Sequence, residues 1–259
     1  MKRATAIRRG ALGLLAFVAI WEIGTALNAP FLAELPPPTA VARDLASLAG
    51  TGGYWSSWSE SLQRVFWGFV IALMLGIPLG LLMATSRTAK RLAWPVFEML
   101  RPVPPLAWVP LAILFWPTQQ LSITFVIFLG AFYTVVVNVV GGAEQIDRRH
   151  VLAARSLGAS RLGLFRRVIL PATLPSIVTG AVVGMGITWE VVVAAELISG
   201  GGQSAADGGL GFLVWSAYQG GDLARVVAGM VSLGVAGYLS SSIVRVAGAR
   251  LMPWRRATA

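Results

Sequence analysis

Four polar side chains, Glu22, Asn138, Glu190 and Glu196, lie inside or against long apolar stretches and are the residues of this sequence best placed to do chemistry. A charge at the centre of a bilayer costs about 2.5–3.5 kcal/mol on the insertion scale, so such a group lines a path for a solute or is tied down by hydrogen bonds. No basic residue shares a stretch with any of them in an obvious pairing. Glu190 and Glu196 stand on one predicted helix, roughly 240° apart around it at about 3.6 residues per turn, so they face different ways. For Glu196 two readings stand side by side: a lining of a translocation path, or a carboxylate near the outer interface or hydrogen-bonded within a bundle. An inward-pointing Glu190 would also repel an anionic solute unless protonated or paired.

Other chemistries are argued against by what is missing. The chain has no Cys and a single His150, which removes thiolate zinc sites, disulfides and Cys nucleophiles and leaves no second imidazole for a metal. Lys occurs only at positions 2 and 90, and no Gly-rich stretch precedes a Lys-Ser/Thr pair, so there is no loop to cradle ATP phosphates. The remaining Glu and Ser residues form no arrangement of nucleophile and base. Transport without catalysis by this chain is the expectation, with no metal and no cofactor of its own.

The elements that must position these groups follow from composition. Of 259 residues, 56% are hydrophobic and 12% charged, against about 45–50% and about 25% in a soluble domain; the mean hydropathy is +0.72. The formal charge of +10 would suggest nucleic acid in a soluble protein, but its placement argues otherwise. All 21 Lys and Arg except Arg43, Arg64 and Arg225 fall before the first apolar run, after the second, in one central loop or at the chain end. That alternation is the positive-inside pattern of a multi-pass membrane protein, with Arg87, Lys90, Arg91 and Arg101 read as one cytoplasmic cluster. Spans of about 20 apolar residues are expected at 11–27, 65–83, 106–116, 121–140, 172–198 and 226–246, giving an all-α fold of about six transmembrane helices with both termini cytoplasmic. The third is broken by Pro95, Pro102, Pro104, Pro105, Pro110 and Pro117 and is too short to cross alone, so its freed carbonyls must face protein or a wet cavity. The first span could alternatively be a signal peptide, although Trp21 and Glu22 interrupt its end and no small-residue cleavage site follows directly.

Between the first two spans, an external segment from Asn28 to Leu62 holds Val41, Leu45 and Leu48 at helical spacing after Pro36, Pro37 and Pro38, which predicts an amphipathic surface helix. Trp55, Trp58 and Trp67 suit an interfacial belt. A second external segment, Gly200 to Gly221, carries Leu210, Leu213, Val214 and Ala217 between Gly-dense flanks and reads as a re-entrant or interfacial cap. Its Gly208, Gly209 and Gly211, with Leu210, are the candidate outer gate, flexible by composition. Gly76-xxx-Gly80 and Gly180-xxx-Gly184 allow close helix approach without saying which helices meet.

The central basic loop, 141–171, contains LAARSLGASRLGLFRRVILP. Here the chain resembles the inner-membrane permease subunits of binding-protein-dependent ABC importers, whose E-A-A-x-x-x-G and I-x-L-P elements are matched in spacing by Leu152, Ala153, Ala154, Arg155, Gly158, Ala159, Val168, Leu170 and Pro171. Leu152 stands where that family usually has Glu, and Val168 where it has Ile. LRPVPPLAWVPLAILFW, AELI and GLGFLVWSA are similar to the subgroup that handles nitrate, sulfonates, taurine and bicarbonate. The resemblance implies one permease domain over 1–259 with a core at about 60–250. It also implies pairing with a second copy or paralogue, a separate ABC ATPase carrying ATP and Mg on which the loop docks, an extracytoplasmic solute-binding protein, a bacterial-type inner membrane and a small anionic solute. Nucleic acid is not among the partners. A secondary transporter or channel is the alternative; it would need matched broken helices in both halves, and only one Pro-broken segment is evident.

Overall fold

A computed structural model describes residues 2–30, 32, 34–198 and 208–254, with the side chains of residues 2–7 and 198 left aside. Residues 199–207, most of the segment linking the fifth span to the cap, and Arg255 and Arg256 of the terminal basic cluster lie outside this description. The elements are α1 (Lys2–Ala26), α2 (Pro38–Ala49), α3 (Gly52–Thr85), α4 (Arg87–Leu100), a 3-10 turn (Pro105–Trp108), α5 (Val109–Phe115), α6 (Gln119–Glu144), α7 (Arg148–Ser156), α8 (Arg161–Leu164), a π turn (Phe165–Ile169), α9 (Leu170–Ile198), α10 (Gly209–Gln219) and α11 (Leu223–Arg250). The described residues are all-helical, and five helical stretches are long and apolar enough to cross a membrane: 8–26, 52–85, 119–144, 161–197 and 223–250.

The sixth crossing is the broken one. Along α3 and α6, Gly68 meets Ile127, Gly76 meets Val135 and Gly80 meets Val139, so these helices run parallel and the chain must return between them. It does so along α6 in the opposite sense: Phe97 packs on Tyr133, Trp116 on Phe125, and Ser122 Oγ donates to the Ala112 carbonyl at 3.1 Å. Pro102, Pro104 and Pro105 break this return into α4 and a shorter apolar helix, Pro105–Phe115, as their missing N–H groups require.

Both Gly-xxx-Gly pairs resolve onto α6. Gly180 approaches Asn138 and Gly184 approaches Ala131, so α9 lies antiparallel to α6 on a face adjacent to the α3 contacts, and Ala131, Val135, Val136 and Val139 are fully enclosed. Small residues let three backbones approach closely, the device that replaces the hydrophobic drive absent in lipid.

Two boundaries differ from the sequence reading. The second span begins at Gly52, and Trp55 and Trp58 sit on its first turns, because no turn residue separates them from the apolar run. The fifth span is the last part of a helix running from Arg161, which takes in the second half of the basic loop. The surface helix α2 buries Val41 and Leu48 as the periodicity demands. Glu22 reaches this helix: Thr39 N and Oγ1 donate to its carboxylate at 3.1 and 2.9 Å. An N-cap proline cannot supply a side-chain acceptor, so Glu22 caps the helix from outside, and it is not a path-lining group.

Candidate functional site

At the α10 end of the bundle, one carboxylate holds three helices. Glu196 is fully buried near the end of α9, accepting from Arg64 Nη1 at 2.7 Å, Ser61 Oγ at 2.8 Å and the Gly211 backbone N–H at 2.8 Å. Ser61 Oγ in turn accepts from Leu210 N at 2.9 Å. The first free N–H groups of α10, which have no partner within their helix, are thereby satisfied, and the carboxylate sits at the positive end of that helix. Arg64 extends the network, donating from Nε to Gln120 Oε1 at 2.7 Å and lying 3.5 Å from Glu60. Arg64 is thus a buried residue of α3 and not part of a connection, and Glu196 has a basic partner on another span.

The outer glycines are shaped by this cluster. Gly209 has φ +72°, and a Cβ there would overlap the Glu196 carboxylate; one on Gly211 would lie 2.8 Å from the Val193 carbonyl oxygen. Gly209, Leu210 and Gly211 are buried, and the glycines permit close approach to α9. Gly208 precedes them as the N-cap and is also enclosed.

The other candidates lie elsewhere. Glu190 is exposed on α9, on the face opposite Glu196 as their spacing requires. Asn138 donates from Nδ2 to the Thr134 carbonyl at 2.8 Å and lines a cavity with Arg101, Tyr133 and Ile187. Arg101 therefore stands apart from Lys90, which pairs with Glu144 near the end of α6, and the two do not form one cluster.

At the opposite end, α7 stands clear of the bundle with no buried residue. Leu152 is 60% exposed and Leu157 87%; Ala153 and Arg155 are exposed, Ala154 and Ala159 half-buried. The helix ends in a left-handed turn at Gly158, φ +79°. Gly158 N–H donates to Arg155 O at 2.9 Å and Ala159 N–H to Ala154 O at 3.0 Å, the paired bonds of a Schellman cap. Gly158 thus lies beyond the helix and not on a face shared with Ala154; its lack of a Cβ serves backbone conformation. Val168 lies in the π turn, where Leu170 N–H bonds back to Phe165 O. Pro171, in the first turn of α9, has no N–H and its ring crowds the carbonyl of Arg167, which accounts for the widened turn. Residues 154–168 enclose an open hollow lined by Gly158, Leu162, Arg166 and Arg167.

Residues 76–256 match the family described as binding-protein-dependent transport system inner membrane component. The chain belongs to this family. It is 35% identical over 260 residues to the taurine transport system permease protein of Escherichia coli, covering 98% of this chain and 91% of that one. It is 36% identical over 202 residues to the nitrate import permease protein of Leptolyngbya laminosa, covering 78% and 70%. Among solved structures, a chain of a bacterial alginate ABC transporter in complex with its pentasaccharide-bound periplasmic protein superposes with TM-score 0.63 at 12% identity, over 97% of this chain and 96% of that one. This family member is the multi-pass permease of a binding-protein-dependent ABC importer, a non-catalytic component whose system includes an ATPase and a binding protein.

Sequence reasoning found Glu196 and the outer glycines but missed Arg64 and Ser61. A signal was present: Ser57, Ser61, Arg64, Gly68 and Ala72 recur at helical spacing and are all buried, marking one closely packed face.

Proposed function

We propose that this permease, paired with a second copy or a paralogue, carries a small solute with an anionic head, of the nitrate, sulfonate, taurine or bicarbonate type, into the cytoplasm of a bacterial-type cell. The relatives named for taurine and nitrate support the solute class. ABC ATPase subunits holding ATP and Mg dock on the α7 loop, and an extracytoplasmic binding protein delivers solute at the α10 end; both termini are cytoplasmic. One observation carries the coupling role: α7, at the end of the bundle where α3 and α6 finish, leaves Leu152 and Leu157 exposed beside Arg155, an apolar and basic surface open to a partner. ATPase closure would then rock the helices between two states of access, with the Arg64–Glu196–α10 cluster as the outer gate. The test is uptake in vesicles containing the permease alone or with its ATPase and binding protein. Uptake of nitrate or taurine only in the complete, ATP-fed system is the expected result. Gradient-driven uptake by this chain alone would establish a secondary transporter instead.

A further inference from the structure

We propose that Arg101, with Asn138 and Tyr133, forms a transit site for a small oxyanion inside the bundle, a deepening of the anionic-solute reading above. The three residues line one cavity of about 240 Å³ together with Pro105, Thr134 and Ile187. Its depth is set by α6: at about 1.5 Å per residue, Gly130 and Asn138, which both border the cavity, lie about 17 and 29 Å along a helix about 39 Å long. A hydrocarbon core about 30 Å thick centred on that helix would contain both.

Arg101 is exposed at this depth. Among the described residues its guanidinium makes no hydrogen bond or ion pair, and no carboxylate borders its cavity. A guanidinium there faces lipid only at a large cost, so it faces a water-filled space, a ligand or the paired permease. The break in the return segment is what puts it there. Arg101 caps the end of α4, whose terminal carbonyls steady a cation, and the following Pro102, Pro104 and Pro105 turn the chain away from it.

The remaining lining suits an anion that must leave again. Asn138 uses one N–H on the Thr134 carbonyl and keeps the other as a donor, and the Tyr133 hydroxyl is a second neutral donor. One charge-assisted contact supported by neutral donors attracts an oxyanion without trapping it, which conduction requires. The volume corresponds to roughly eight waters at about 30 Å³ each, room for a nitrate or a sulfonate head with part of its hydration.

The complete transporter in vesicles, fed with nitrate or taurine, provides the test. Arg101→Gln should lower uptake about tenfold or more, the scale of one lost charge-assisted hydrogen bond, while loaded binding protein still stimulates ATP hydrolysis; Arg101→Lys should retain more. Because the chain has no cysteine, Arg101→Cys in an otherwise Cys-free complex can be modified selectively. A hydrophilic cationic thiol reagent should reach it and restore uptake, and an anionic one should not. Wild-type uptake by Arg101→Gln, a Cys at 101 that hydrophilic reagents never reach, or recovery in an Arg101→Gln, Glu190→Gln double variant would each overturn the site, the last by showing an ion pair. A wild-type complex that imports none of nitrate, taurine, an alkanesulfonate and bicarbonate overturns the anionic-solute reading itself, and the site with it.

Discussion

The Arg64 guanidinium donates to Glu196 Oε1 at 2.7 Å, joining residues 132 positions apart on α3 and α9. Both are enclosed, with side-chain exposures of 5% and 0%. Breaking such a pair from one side leaves an uncompensated buried charge and costs about 3–5 kcal/mol, whereas replacing both partners by apolar residues of similar volume is often neutral. Glu196→Ala should therefore lower the thermal midpoint of the purified permease sharply, and the Arg64→Met, Glu196→Leu double variant should recover most of the loss. The double variant should still fail to transport if the pair is part of the gate, which a vesicle uptake assay reads separately from the melt.

Gly211→Val carries a different prediction on the same cluster. Its Cβ would meet the Val193 carbonyl oxygen at 2.8 Å and Glu196 Oε2 at 2.9 Å; backbone cannot yield, so α10 must lift from α9. Loss of uptake with the ATPase still bound is expected. Gly234→Ala, where nothing lies within 4 Å of the added carbon, should transport normally. Equal uptake by the two variants would show that α10 is only a tether.

The parts of this architecture that depend on local pattern were legible in the sequence, and the parts that depend on a distant partner were not. Val41, Leu45 and Leu48 announced α2 because amphipathic spacing is local, and the prolines announced the broken return. Arg64 was hidden because a lone Arg between Gln63 and an apolar run looks like the end of a connection; only its partners Gln120 and Glu196, on other helices, explain its burial. Arg101 was misplaced for the converse reason. Its neighbours Lys90 and Arg91 lie by the C-terminal end of α6, and only the antiparallel packing of α4 on α6 reveals how far the chain has climbed by residue 101.

Side of exposure can be read by single cysteines on the native Cys-free background. Ser156, at the end of α7, and Ser216, on α10, are both exposed and lie at opposite ends of the bundle. In right-side-out vesicles an impermeant thiol reagent should label Cys at 216 and leave Cys at 156 unlabelled until the membrane is opened. The reverse pattern would invert the topology and place the basic loop outside.

The α7 turn allows backbone and contact effects to be separated. At φ +79° Gly158 tolerates few side chains, and Asn is the best of them because it visits the left-handed region at little cost. Gly158→Asn should keep the turn and the ATPase, and Gly158→Val should disrupt the turn whatever docks there. Ala154→Trp tests the contact itself. Ala154 has ordinary helical geometry and lines the hollow beside Leu157, so a bulky group changes the fit and not the fold; overpacking costs about 1–3 kcal/mol, a factor of roughly 5 to 150 in association. Arg161→Ala should matter less, since an exposed ion pair is worth about 0–1 kcal/mol. With Leu152, Leu157 and Leu162 all exposed on the loop, apolar contact should carry the docking. About 0.5 M salt, where the Debye length falls to roughly 4 Å, should then leave the ATPase bound in a pull-down that Ala154→Trp abolishes. A complex that salt dissolves and Ala154→Trp leaves intact would mean that the arginines, and not the leucines, hold the ATPase.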